Sequence, residues 1–178
     1  SRADWRALDL IGWDIEAQPL SDLVGDSFEV VGSAPLQAGE TIDVEFAIRN
    51  QSEAIAGPFN VGFYIFDSTV DFNGRTYRDL ISAGLADPIG EFDFEGMLPF
   101  DTSDILRTSL ELPVFSPTYT FGGVGDYKIG MVIDPNAEVF ELNEFNNTGV
   151  GELFDFETVF LSPVPFPPDV AGNTFDIT

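Results

Sequence analysis

GDYKIGMVIDPNAEVFELNEFNN, residues 125–147, is the stretch that decides the fold. In its first half, apolar side chains at every second position from Tyr127 to Ile133 alternate with smaller or polar ones. This period of two is typical of a β-strand with one face in a core. Pro135 then ends the strand, because proline cannot donate to the hydrogen-bond ladder. The first half therefore predicts the penultimate strand of a β-sandwich, and the second half the loop that follows it.

This loop is rich in side-chain oxygen. The candidate ligands are Asp134, Asn136, Glu141, Asn143, Glu144, Asn146 and Asn147. Calcium takes about six to eight oxygen ligands from carboxylates, amides and carbonyls, so the loop predicts a calcium site. The alternative is that the asparagines bond their own backbone in Asx turns and fix a tight corner without an ion.

A second candidate calcium site lies in DSTVDFNG, residues 67–74, where Asp67, Asp71 and Asn73 precede a glycine. The order of an EF-hand loop is not matched, since its regular acidic spacing and closing glutamate are missing. An ordinary Asn-Gly turn of a hairpin explains the same residues.

The charge balance indicates which partners the protein can bind. Its formal charge is −24, from 31 acidic and 7 basic residues. Such a chain is repelled by the phosphates of nucleic acids and by anionic membranes, and it attracts cations. With no long apolar run, we expect neither nucleic-acid binding nor membrane insertion.

Two missing residue types exclude most enzyme classes. The 178 residues contain no cysteine and no histidine, which removes disulfides, thiolate nucleophiles, Ser-His-Asp triads and the HExxH zinc helix. A pair of carboxylates could still hydrolyse glycosides, but nothing marks two of the 31 for that task. We therefore predict a protein that is not an enzyme.

Several further segments show strand periodicity or apolar runs bounded by turn residues. They are residues 27–31, 39–48, 59–66, 103–112 and 151–161. In the last, Phe154, Phe156 and Phe160 are expected to share a face, with Asp155 and Glu157 pointing out. The pattern predicts an all-β fold, an immunoglobulin-like antiparallel β-sandwich of about seven strands.

The two ends differ from this middle. Residues 1–17 predict a short helical segment, since Trp5, Leu8 and Ile11 recur at helical spacing; in one interpretation it is an amphipathic helix that packs its tryptophans on the domain. Residues 18–162 form the predicted sandwich. Residues 163–178 hold four prolines and predict an extended tail.

The middle of the chain resembles the CARDB family, immunoglobulin-like domains named for bacterial cell adhesion. The phrases that carry the resemblance are TIDVEFAIRNQS, PFNVGFYIFDS and GDYKIGMVIDPNAEVFELNEFNN, the last similar to the family's G-x-Y pattern with its closing E-x-N-E-x-N-N. The resemblance spans about residues 20–161. It departs from the family at Ser52, where glycine is usual, and in the longer region 67–100.

The resemblance implies a non-catalytic module of a secreted or cell-surface bacterial protein, and some relatives bind calcium. It places the loop ligands from Asp134 to Asn147 at the family's acidic corner. We accordingly expect an extracellular structural or adhesion module, with Ca²⁺ as its only candidate cofactor. A homo-oligomer or other surface proteins are the expected partners, and polysaccharide is an alternative one.

The ends suggest two further hypotheses. DWRALDLIGWDI, residues 4–15, is similar to the closing helix of secreted zinc metallopeptidases of the metzincin type, so the alternative function is an accessory C-terminal domain of such an enzyme. Residues 170–177 could instead add as a strand to a neighbouring subunit's sheet and build a surface or matrix filament.

Overall fold

The computed structural model describes residues 19–32, 35–72, 75–114 and 124–162. The predicted N-terminal helix, the Pro-rich tail and its strand donation lie outside these residues and stay predictions. The elements, in chain order, are β1 (Leu23–Val31), β2 (Leu36–Gln37), β3 (Thr41–Asn50), β4 (Phe59–Asp67), α1 (Tyr77–Ser82), β5 (Ala86–Phe94), β6 (Leu106–Glu111), β7 (Gly125–Ile133) and β8 (Phe156–Ser162).

The strands form two sheets that pack face to face. One sheet has the order β1-β3-β6 and the other β2-β8-β7-β4-β5. All pairings are antiparallel except that of the two-residue β2 with β8. This arrangement confirms the predicted β-sandwich, with eight described strands in place of about seven.

The core lies between the sheets and is built largely from phenylalanine. Phe63 of β4 is fully buried and meets Phe46 of β3 edge to face, with 5.0 Å between ring centroids. The ring centroid of Phe28 in β1 lies 6.4 Å from that of Phe63. Both sheets contribute rings to one cluster. The apolar side chains that alternate along the strands therefore face each other across the sandwich and form a single core.

β4 is covered on both faces, as its run of apolar residues predicts. Its inner face joins the main core, while Tyr64 and Phe66 belong to a second cluster on the outer face. That cluster includes Phe72 and Leu80, which arrive from the region between β4 and β5. Residues 67–72 and 75–85 therefore cover the outer face of the five-stranded sheet.

Two features of this half differ from the expectation. Sequence reasoning missed α1, and its prediction for the last strand was wrong in its start and in the orientation of Asp155. β8 starts only at Phe156, and Asp155, expected to point out, is 1% exposed. Val159 and Leu161 face the core, whereas Phe160 is on the outside.

The start of α1 is fixed by a capping box. The Thr76 side chain accepts a hydrogen bond from the backbone N–H of Asp79, whose carboxylate in turn accepts from the Thr76 N–H at 2.8 Å. These bonds from Thr76 hold the pKa of Asp79 below its ordinary value. Capping is needed because the first N–H groups of a helix have no partner within it.

Replacing Thr76 by alanine should lower the free energy of unfolding by about 1 kcal/mol, the usual cost of losing an N-cap. Urea unfolding measures this as a lower midpoint with an unchanged slope. Ser82 lies at the other end of the same helix and bonds only a backbone carbonyl there, so Ser82→Ala is the matched control. Equal losses for both variants would show that the cap does not hold the helix.

Strand directions bring four segments to one end of the sandwich. β1 starts there, beside the end of β3, and β4 starts beside the ends of β5 and β7. Residues 19–22, 51–58, 95–105 and 134–155 therefore share this end. The acidic corner is one of these four segments.

Candidate cation site

The corner begins with a tight turn held by Asp134. This residue is 4% exposed, with a left-handed φ of 48°, a conformation that aspartate tolerates better than most residues. Its two carboxylate oxygens accept hydrogen bonds from the backbone N–H groups of Glu138 and Val139, both at 2.8 Å. Its own N–H donates to the carbonyl of Asn60, at the start of β4. Asp134 therefore shapes the loop and ties it to the sheet.

Glu141 fastens the loop to β1. One of its carboxylate oxygens accepts from the backbone N–H of Leu23 and the other from the side-chain amide of Asn147, at 2.8 Å. The glutamate and the asparagine are 7% and 5% exposed. The contact joins residues 118 positions apart in the sequence, so it is a long-range tertiary contact that holds the loop against β1.

Residues 21 and 22, which directly precede β1, also bond to the loops at this end of the sandwich. The carbonyl of Ser21 accepts from the N–H of Leu142, and that of Asp22 accepts from the N–H of Gln51. The carboxylate of Asp22 accepts from the side-chain amide of Asn146 at 2.8 Å. The N-terminal approach to β1 is thus bonded to loops on both sides.

Two amide oxygens in this corner are buried without a hydrogen-bond donor among the described residues. They are the Oδ1 atoms of Asn146 and Asn147. Each amide turns its NH₂ group toward a carboxylate, Asp22 or Glu141. Rotating either amide would place its oxygen against that carboxylate, so the orientation is fixed by charge. A buried acceptor without a donor is costly and calls for an unrecorded partner, such as a cation or a water.

The charge state of Glu141 is also unusual. Burial raises its pKa from the ordinary 4.5 to about 7, although the bonds from Leu23 and Asn147 lower it, and the nearby carboxylates of Glu144 and Asp134 add repulsion. A cation beside this carboxylate would favour its charged form. Asp155, another buried acid, also has its pKa raised by burial, in opposition to the N–H groups of Val150 and Gly151 that its oxygens accept from.

The other predicted ligands of the corner lie on its surface. Asn136, Asn143 and Glu144 are exposed. The Asn143 side chain accepts from the N–H of Phe145 at 3.1 Å, an Asx turn of the kind named as the alternative. Glu144 accepts from the Glu141 N–H at 3.4 Å and, with Asp134 and Asn147, lines an open cleft of about 190 Å³.

The second candidate site is organised around a turn and an ammonium group. The Asp67 carboxylate accepts from the backbone N–H of Thr69 at 2.9 Å and from its hydroxyl, which together lower the pKa of Asp67. Lys128 donates to the carbonyl of Val70 at 2.7 Å. Asp71 is exposed, and Asn73 lies outside the described residues. A positive charge is therefore already bound at this loop.

Across residues 19–32, 35–72, 75–114 and 124–162, no three carboxylates converge closely enough to hold a metal by themselves. Any ion at the corner would therefore need oxygens other than carboxylates, such as the amide oxygens of Asn146 and Asn147. The donor set favours a hard cation such as calcium, which accepts amide and carboxylate oxygens alike.

Sequence reasoning missed three residues that matter here. Neither Asp22 nor Asn50 is among the predicted site residues, and Asp155 is predicted to point out from the last strand. Asn50 is fully buried; its amide donates to the carbonyls of Ala54 and Leu98, and its oxygen accepts from Ser52. One signal was available, since an asparagine directly after an alternating strand often bonds the loop that follows.

No family model matches the sequence, and no curated protein matches it. Solved structures do match. One is the crystal structure of the CARDB domain of PF1109 from Pyrococcus furiosus in complex with di-metal ions, with 19% identity, a TM-score of 0.43, and coverage of 82% of this chain and 90% of that chain. The solution structure of the same domain is 20% identical, with a TM-score of 0.42 and coverage of 82% and 96%.

A β-glucosidase from Listeria innocua also matches, with 16% identity and a TM-score of 0.39, over 79% of this chain but only 16% of the enzyme. Likenesses at this level concern the fold and say nothing of function. The CARDB domain, whose phrases the sequence resembles, is thus among the solved structures that this chain matches.

Among the described residues, no helix is long and apolar enough to cross a membrane.

Proposed function

We propose that this protein is a non-catalytic extracellular module, structural or adhesive, whose acidic corner binds a calcium ion. The observation that carries the proposal is that the corner buries the amide oxygens of Asn146 and Asn147 without a donor among the described residues, while the Asn147 amide bonds the buried carboxylate of Glu141. A calcium ion would take up those oxygens and favour the charged carboxylate at the same time. Asp134 would keep its structural task, since both of its oxygens hold backbone N–H groups.

The use of the other buried acids supports a non-catalytic role. A general acid or base needs a carboxylate that is free to exchange a proton with a substrate. Asp134 and Asp155 each accept two backbone N–H groups, and Glu141 holds β1. These groups stabilise loops.

The position of the corner supports a linking role. It holds residues 21 and 22, through which the chain enters the sandwich. Calcium at this point would stiffen the junction between the sandwich and whatever precedes it. A stiff junction serves a module that transmits force or holds a fixed orientation, as adhesion and matrix proteins require. Exchange of the tail between copies remains a second way in which such modules could assemble.

Calcium should raise the melting temperature of the protein relative to the same sample in EDTA, because the ion binds only the folded state. At ten times the dissociation constant the gain is about 1.4 kcal/mol. Asn147→Ala removes one ligand oxygen and should abolish most of the gain. Calorimetric titration measures the binding directly.

Asn60→Ala is the matched control. Asn60 is also a buried asparagine at the same end of the sandwich, and its amide donates to Asp93. This variant should lose stability but keep the full response to calcium. Identical melting curves of the wild-type protein in calcium and in EDTA would refute calcium binding; a response that survives in Asn147→Ala would place the ion elsewhere.

A further inference from the structure

The end of the sandwich that carries the acidic corner also exposes large apolar side chains. Six of them define what we call the end surface: Ile55, Leu98, Phe100, Phe140, Leu142 and Phe145. Between 58% and 82% of each side chain is accessible to solvent, Phe140 being the most exposed. Contiguous exposed apolar patches on a soluble domain commonly mark an interaction site.

Hydrogen bonds show that the parts of the end surface are neighbours. The Phe100 N–H donates to the carbonyl of Ser52, and the Asn50 amide to that of Leu98, so the loops 51–58 and 95–105 are joined. Asp22 connects them to the corner by its bonds with Gln51 and Asn146. The end surface therefore has two apolar groups, with residues 20–22 running between them.

Phe100 adds a backbone argument. It has a φ of 52°, which is uncommon for a residue with a side chain, and its ring is 70% exposed. A bulky residue in this conformation stores strain, which is kept where the surrounding structure or a partner requires it. Its ring gains nothing from exposure to water, so the end surface suits an apolar partner.

We propose that the end surface is the docking site of residues 1–18 of the same chain, which lie outside the described residues. The chain reaches the sandwich at this end, because Ser21 bonds to the backbone of Phe140 and Leu142. The C-terminal segment instead leaves from β8 at the opposite end. A segment tethered at the surface acts at an effective concentration in the millimolar range, so modest contacts suffice.

The composition of residues 1–18 matches the surface. Trp5, Leu8 and Ile11 recur at helical spacing, and Trp13 follows. A helix of about eleven residues, ending before Gly12, spans about 16 Å, enough to cross the end of a sandwich whose sheets pack about 10 Å apart. The apolar side chains would cover the exposed rings on both sides of residues 20–22.

Two arginines of the segment can pair with acidic groups at this surface, although the segment also carries Asp4, Asp9, Asp14 and Glu16. Exposed carboxylates border the end surface, among them Glu53, Asp101 and Glu144. Arg2 and Arg6 supply two of only seven basic residues in the chain. A second copy of the sandwich would instead bring one acidic end against another, with a charge of −24 on each chain, so repulsion disfavours it as the occupant.

Tryptophan fluorescence tests the proposal on the intact chain, because Trp5 and Trp13 are its only two tryptophans. Docking predicts a blue-shifted emission maximum and weak quenching by iodide or acrylamide in the native protein. Phe100→Ser and Phe140→Ser together should shift the emission to the red and raise quenching several-fold, while far-UV circular dichroism stays unchanged.

Phe160→Ser is the matched control, since Phe160 is an exposed phenylalanine on β8, outside the end surface. It should leave the tryptophan emission as in the wild type. A fully exposed emission spectrum in the wild-type protein, or one that the double variant does not change, would overturn the proposal. A blue shift that disappears on dilution, with a doubled mass by sedimentation, would assign the surface to a second copy instead.

Discussion

Replacing Asp134 by alanine is expected to lower the free energy of unfolding by about 3 kcal/mol. The substitution leaves the N–H groups of Glu138 and Val139 without their acceptor; the Val139 bond is buried and the Glu138 bond is partly buried, and a buried unpaired group costs about 1–3 kcal/mol. It also puts alanine at a φ of 48°, which aspartate and asparagine tolerate better. Chemical denaturation with circular dichroism measures the loss.

Asp134→Asn separates the two causes. Asparagine accepts one of the two N–H groups and tolerates the left-handed backbone, so about half of the loss should remain. Asp67→Ala is the control at an exposed turn, where Thr69 can bond to water instead. If Asp134→Ala proves no more damaging than Asp67→Ala, the corner is not the rigid turn described above.

The strands can be predicted from the sequence because apolar residues at every second position form a local pattern, which can be read without knowing any tertiary contact. β3 and β7 alternate clearly, and the structure buries the faces that the pattern predicts. β5 has the same period but carries Asp87, Glu91 and Asp93 on an outer edge of its sheet. It is not among the segments predicted as strands. An edge strand has a neighbouring strand on one side only. Which strands are neighbours is a tertiary property, and a single sequence does not show it.

The candidate site shows where sequence reasoning stops. The density of oxygen from Asp134 to Asn147 draws attention to the corner, but its seven candidate ligands look equivalent in the sequence. Only tertiary contacts separate them: Glu141 is buried because Leu23 of β1 crosses it, while Asn136 and Asn143 face solvent. Asp22 joins the corner across 124 positions of sequence, a separation that no local spacing reveals.

The stability of the protein should fall as the pH rises from about 5 to 8 in EDTA, because of Glu141. Its pKa is about 7 in the folded state against an ordinary 4.5. Between these values the folded protein keeps a proton that the unfolded chain has lost, so stability falls with rising pH. Below the lower value both states are protonated, and above the higher value the loss is complete. At about 1.4 kcal/mol per unit, and with allowance for partial solvent screening, the loss is about 2 kcal/mol.

Glu141→Gln tests this assignment, because a neutral amide cannot titrate. Its oxygen can accept from the Leu23 N–H, and its NH₂ group can donate to the Asn147 oxygen once that amide rotates. The variant should lack about 2 kcal/mol of the pH-dependent fall, and the part due to Asp155, whose pKa is also raised by burial, should remain. Asp126→Asn, at an exposed carboxylate on β7, should keep the wild-type slope.

Calcium should flatten the wild-type slope, since cation binding favours the deprotonated carboxylate. Equal slopes for wild type and Glu141→Gln in EDTA would mean that Glu141 is charged throughout this range, and that the corner holds a negative charge without help from a cation.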